Sequence, residues 1–246
     1  MKLFLTSSPC AQVDGIVMLN PEYDFVYHLS QALPNPIRCL YVCSDPDNEP
    51  DTDYYAQEMR LFFQRSGFVF SQFEMLDWRT ASQAGDLVMQ SDFILLCGGH
   101  VPTQNRFFHE VGLVQLLQEY EGVVMGISAG SMNCADWVYA HPEDPGEAVD
   151  PEYARYLPGL GLTDLNILPH FSQWREKKLD GLWMLEEIAV PDSWNHPMII
   201  LEDGGYVAID DGEARVFGPH YFLENGDLTD LRFYTSLNHY HGRIRI

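Results

Sequence analysis

Positive charge is scarce in this chain. Its 246 residues carry 14 Lys+Arg against 36 Asp+Glu, a formal net charge of −22. A field of that sign repels a phosphate backbone or an anionic bilayer, so nucleic-acid and membrane-surface binding drop out as leading functions. Cysteine is sparse as well. The five thiols (Cys10, Cys39, Cys43, Cys97, Cys134) are odd in number and form no C-x-x-C pair. Four of them lie in or beside apolar runs, where cysteine packs as a small hydrophobe. This excludes a disulfide scaffold and points to a reducing compartment. No apolar run is long enough to span a bilayer. The first eight residues are too short for the apolar region of a secretory leader, so the cytoplasm is the expected location. Internal repeats, low-complexity tracts and linker-like stretches are also lacking. With 46% hydrophobic residues, the composition and length fit one α/β domain over residues 1–246.

What is present is alternation. Segments 2–7, 37–43, 68–76, 93–97 and 123–127 read as strands. Segments 23–33, 52–65, 80–90 and 103–119 read as helices between them. The run Phe93-Ile94-Leu95-Leu96-Cys97 is continuously apolar, as a central parallel strand is. The expected fold is therefore α/β, with a mostly parallel sheet, helices on both faces and right-handed crossovers. A helix is expected over 131–137 and a polar surface loop over 140–158. A strand within 160–168 follows, then a helix over 173–189 and a strand beginning at 197–200. Antiparallel hairpin strands are expected over 213–218 and 221–233, with Asn225-Gly226 as a turn signal.

The chemistry centres on Gly126-Ile127-Ser128-Ala129-Gly130, a G-x-S-x-G pattern between an apolar strand and a helix. A serine on such a turn sits on strained backbone. The flanking glycines have no Cβ to collide with close neighbours, and the first helical amides can receive an oxyanion. Sites in open α/β sheets form beyond the carboxyl ends of strands, which limits the partners of Ser128. Gly98-Gly99 ends the strand before it, so the amides of Gly99 and Ala129 are the oxyanion-hole candidates. His170, in Pro169-His170, ends the next strand after the elbow and is the candidate general base. In Leu201-Glu202-Asp203-Gly204, Glu202 and Asp203 both qualify to orient the imidazole, with Asp136, Asp150 and Asp164 as rivals.

Together these residues resemble the dipeptidase E family of serine peptidases, to which cyanophycinase is related. The resemblance runs from the first strand to about Glu202. It implies a class I glutamine amidotransferase-like fold and a cytoplasmic, metal-free enzyme without cofactor. It implies the triad order Ser, His, Glu, which maps onto Ser128, His170 and Glu202. It also implies dipeptides with N-terminal aspartate as substrates. Two positions depart from the family pattern. Its G-G-N-T loop reads Gly98-Gly99-His100-Val101-Pro102-Thr103 here. Its substrate-binding arginine falls at about Met184, and the nearest cations are Arg175, Lys177 and Lys178, so Arg175 becomes the substrate-binding candidate. The function expected is a serine exopeptidase acting on short peptides, with no nucleic-acid or membrane partner and a homodimer left open. An esterase or amidase on the same triad, and a non-catalytic binding protein of the same fold, are the alternatives.

Overall fold

The computed structural model describes residues 1–231. Five parallel strands form its centre: β1 (Lys2–Thr6), β2 (Ile37–Val42), β3 (Phe70–Leu76), β4 (Phe93–Leu96) and β5 (Val123–Ile127). The helices between them are α1 (Phe25–Ala32), α2 (Glu49–Arg65), α3 (Ala84–Gln90), α4 (Val101–Glu110) and α5 (Leu113–Gln118), and α6 (Ala129–Met132) follows β5. Farther along come β6 (Asn166–Leu168), α7 (Phe171–Trp174), β7 (Met198–Leu201), β8 (Tyr206–Asp210), β9 (Glu213–Phe217), β10 (His220–Glu224) and β11 (Asp227–Asp230). The main sheet has seven strands in the order β9-β8-β1-β5-β4-β2-β3, with β8 and β9 added antiparallel. A second sheet has the order β6-β7-β10-β11, in which β6 and β7 are parallel.

The continuous apolar runs lie where both sheet faces are covered. Every residue of β4 and β5 is buried, and side chains such as Leu95 and Val124 contribute about 1.5–3 kcal/mol each by leaving water. The second sheet closes over the elbow. Ala129 and Met132 of α6 pack in one apolar cluster with Leu168, Phe171, Trp174 and Ile200. The ends of β6 and β7 are thereby brought to the end of β5.

Several segments differ from the sequence expectation. The loop expected over 140–158 ends in a strand, Tyr156–Pro158, paired antiparallel with Trp137–Tyr139. The others differ for local reasons. The helix expected over 103–119 is two helices, because Gly112 takes φ +71 between α4 and α5. The helix expected over 131–137 stops at Met132. Ala135 instead bridges to Thr163, and the Asp136 N–H donates to the Thr163 carbonyl. The helix expected over 173–189 is α7, then a two-stranded ribbon of Lys178–Leu179 with Leu182–Trp183, then a π-helical turn Met184–Ala189. Asp180 (φ +51) and Gly181 (φ +88) form the tight turn of that ribbon. A ribbon of Cys10–Val13 with Ile16–Leu19, absent from the expectation, turns on Asp14 and Gly15 in the same way. The Asn225-Gly226 hairpin joins β10 to β11 as expected, while residues 232 and 233 of that segment lie outside the described residues.

Candidate active site

Ser128 stands at the carboxyl end of β5 with φ +50 and ψ −113. Serine rarely occupies that region, so the conformation must be imposed by its surroundings. Here the imposition is visible. The Ser128 N–H donates to the Thr6 carbonyl at 3.0 Å and the Ser7 carbonyl at 3.2 Å. The Ser131 hydroxyl also donates to the Thr6 carbonyl, at 2.8 Å. A Cβ on Gly126 would overlap the Ser131 amide nitrogen, and one on Gly130 would overlap the Leu96 carbonyl. Both obstacles are backbone. Gly130→Ala is therefore expected to destabilise the fold by at least ~2 kcal/mol, the usual cost of overpacking a rigid site. A urea-unfolding midpoint within error of wild type would count against this steric account.

His170 follows β6 in the left-handed conformation, at φ +60 and ψ +35. Its Nε2 lies 2.9 Å from Ser128 Oγ, and its Nδ1 lies 2.6 Å from Asp203 Oδ1. Asp203 follows β7, the strand parallel to β6. Burial pushes the Asp203 carboxyl up. The hydrogen bond and charge of His170, the Ser7 hydroxyl and the Gln173 amide outweigh that and hold it at about 2. An ionised carboxylate only accepts, so Nδ1 carries the imidazole proton and Nε2 is left to accept from Ser128.

Glu202 does not take the position assigned to it from the family order. Its carboxylate accepts the Ser172 N–H at 3.0 Å, whereas its neighbour Asp203 faces the imidazole. The reason lies in the bend after β7. Gly204, at φ +85, donates its N–H to the Ser8 carbonyl, which folds the loop back toward β1 and turns Asp203 inward. Among the rivals, Asp136 and Asp164 line a cavity of about 460 Å³ with Ile209 and Gly212. Ile209 pairs with Leu3 near the start of β1, so that cavity opens at the opposite end of the sheet from Ser7. A second cavity, about 480 Å³, is lined by residues from Lys2 and Ile209 to His28 and Phe217 and includes no member of the triad. Asp150 accepts the Glu152 N–H in its own loop.

Of the two oxyanion candidates, Ala129 directly follows the serine and Gly99 directly follows Gly98, which approaches it. Ala129 is the first residue of α6, where an amide has no intrahelical partner. In the other loop, a Cβ on Gly98 would lie 3.4 Å from Ser128 Cβ, and one on Gly99 would fall 2.5 Å from Ser44 Oγ. The loop thus packs closely against the end of β5 at Gly98, and at Gly99 it leaves no room for a Cβ beside the Ser44 side chain. The next residue, His100, bonds to the 143–147 loop, with Nε2 2.8 Å from Glu147, and to its own helix, with Nδ1 2.8 Å from Thr103 Oγ1. Glu147 in turn accepts the Glu143 and Asp144 N–H groups. Glu143 keeps contact with solvent but has protein atoms around its carboxyl group. Burial and the charges of Glu147 and Asp144 push its carboxyl up to about 7, against the opposing pull of His100 and His170. His100, Asp144 and Glu147 bring ligand-type atoms within 4.8 Å of one another, but their own hydrogen bonds account for the cluster, and we assign it no metal.

Arg175 is not turned to the triad. Its guanidinium lies over the Phe171 ring and pairs with Glu176 at 3.2 Å. Met184, the position aligned with the family's arginine, is buried at the start of the π-helical turn. Ser7 and Gln173, which hold Asp203, were missed from the sequence. Gln173 carries a usable signal in hindsight: it lies three residues after His170 and so falls on the same side of one helical turn.

The comparisons bear on the fold and the family. A crystal structure at 1.5 Å of a proposed peptidase E protein from Listeria monocytogenes EGD-e superposes with a TM-score of 0.54 at 17% identity, covering 94% of this chain and 98% of that one. The likeness extends to the whole α/β arrangement. No curated protein sequence matches the chain. The sequence profile of peptidase family S51 matches residues 44–217, more than half of the chain and including Ser128, His170 and Asp203. The chain belongs to peptidase family S51, and so to the serine-type peptidases of the dipeptidase E group.

Proposed function

We propose that this peptidase is a cytoplasmic exopeptidase that hydrolyses short peptides, dipeptides foremost, through an acyl-enzyme on Ser128. The observation that carries the reading is the unbroken relay from Ser128 Oγ to His170 (2.9 Å) to Asp203 (2.6 Å). Both distances are within the reach that proton transfer needs. Ser128 Oγ attacks the scissile carbonyl while His170 Nε2 takes its proton. The carbonyl oxygen becomes an oxyanion facing the amides of Gly99 and Ala129. His170 then returns the proton to the leaving amine, the C–N bond breaks, and an ester on Ser128 remains. Water, deprotonated by His170, attacks that ester, releases the acid and regenerates the hydroxyl. Asp203 fixes the imidazole tautomer and stabilises the imidazolium formed on the way.

For the substrate side chain the residues argue against aspartate. Neither the aligned position nor the candidate arginine offers a free cation, since Arg175 is paired with Glu176 and position 184 is a buried methionine. The loop bonded to His100 carries Glu143, Asp144 and Glu147 instead, and Glu143 feels the charge of His170. A panel of dipeptides with purified protein tests both points. Dipeptides with neutral N-terminal residues are expected to be cleaved at least as fast as Asp-X. A strict Asp-X preference would remove the specificity argument. Hydrolysis of short esters with no cleavage of any dipeptide would replace the peptidase reading by an esterase.

A further inference from the structure

Ser7 directly follows β1 and is fully buried, yet it bonds to all three members of the relay. Its carbonyl accepts the Ser128 N–H at 3.2 Å. Its hydroxyl oxygen accepts the His170 N–H at 2.9 Å and donates its proton to Asp203 Oδ1 at 2.8 Å. A hydroxyl has one donor and two acceptor sites, so both side-chain bonds can form together. The Ser7 N–H donates to the Gly205 carbonyl at 3.1 Å, and the next carbonyl, of Ser8, accepts the Gly204 N–H at 2.9 Å. The loop bearing Asp203 is thus laced to the end of β1 at three points.

The need for such a residue follows from the topology. Ser128 comes from the main sheet, whereas His170 and Asp203 come from the second one. β1 is the strand that lies between β5 and β8, so its end reaches the elbow on one side and the Asp203 loop on the other. His170 also holds an unfavourable left-handed backbone, a conformation that persists only when its surroundings over-determine it. The bond from its N–H to Ser7 Oγ supplies that determination.

We propose that Ser7 is a positioning residue of this active site: one buried hydroxyl that clamps the His170 main chain and the Asp203 carboxylate in register with the Ser128 elbow. The proposal rests on the triad reading above. Ser7 Oγ lies 3.5 Å from His170 Nδ1 but its proton is directed at Asp203, so it contacts neither Ser128 Oγ nor His170 Nε2, between which the proton moves. It acts on rate through the other groups and leaves substrate binding alone.

The test uses the full chain and reads three quantities in wild type and Ser7→Ala. These are the rate of Ser128 modification by a fluorophosphonate, kcat and KM on a cleaved dipeptide, and the far-downfield proton NMR resonance of His170 Nδ1–H. The labelling rate and kcat are expected to fall roughly 10- to 100-fold, the size of losing a hydrogen bond to a charged group together with its backbone partner. KM should stay within about twofold, and the downfield resonance should shift or broaden. In an Asp203→Ala background the same change should cost no more than about threefold, because coupled groups are not additive. If Ser7→Ala does not fold, Ser7→Cys, which keeps the volume and weakens both bonds, is read in its place. An unchanged labelling rate and resonance would overturn the proposal. So would an equal loss in both backgrounds, which would make Ser7 a support of the fold alone. A wild-type Ser128 that resists the probe would instead sink the peptidase reading, and the resonance would still report on Ser7.

Discussion

Ser128→Ala is expected to lower kcat/KM by roughly 10⁴- to 10⁶-fold while leaving the fold intact, the loss seen when a nucleophile is removed from a relay that works as a unit. The hydroxyl makes its hydrogen bond to His170, whereas the N–H that fixes the elbow donates to Thr6 and Ser7 through the main chain. Deleting the oxygen therefore costs chemistry and little structure. Ser128→Gly sharpens the point. At φ +50 and ψ −113 a Cβ is a liability, so this inactive variant should be more stable than wild type by about 1 kcal/mol. Urea unfolding checks the stabilities, and dipeptide hydrolysis checks the rates. An alanine variant that still turns over at a tenth of the wild-type rate would remove Ser128 from the mechanism.

The parts of this architecture legible in the sequence were those in which one residue run settles the structure. β4 and β5 are apolar at every position and buried at every position. The elbow announces itself because two neighbouring backbones leave no room for side chains at Gly126 and Gly130. His170 was found because a strand end in an α/β sheet is where a site forms. What escaped was decided elsewhere. Four Asx-Gly pairs, Asp14-Gly15, Asp180-Gly181, Asp211-Gly212 and Asn225-Gly226, take positive φ at both residues, as two-residue hairpins require. Only the last was read as a hairpin. The single helix expected over 173–189 is broken by Asp180-Gly181, whose positive φ values close a two-residue hairpin. Ser7 could not be singled out, because its importance depends on β1 lying beside both β5 and β8, a matter of sheet order.

The identity of the acid belongs to the same class of question, and it yields the second large effect. Asp203→Asn is expected to cut kcat by roughly 10³- to 10⁴-fold with little change in KM, while Glu202→Gln stays within about threefold of wild type. Three donors now converge on the Asp203 carboxylate: His170 Nδ1 and the Ser7 hydroxyl on Oδ1, and Gln173 Nε2 on Oδ2. An asparagine offers one oxygen and an NH₂ group, so it cannot satisfy all three, and it brings no charge to stabilise the imidazolium. Glu202 holds the Ser172 N–H, which a glutamine oxygen can still accept. A stability measurement gives an independent sign. The Asp203 carboxyl is held at about 2 against an ordinary 3.8, so its ionised form stabilises the folded state above the unfolded value, and that contribution disappears as pH falls through the folded one. The stability gap between wild type and Asp203→Asn should therefore close between pH 4 and pH 2. Should Glu202→Gln be the variant that loses turnover, with Asp203→Asn near wild type, the acid would be Glu202 as the family order implied, and the inward turn at Gly204 would not describe the working enzyme.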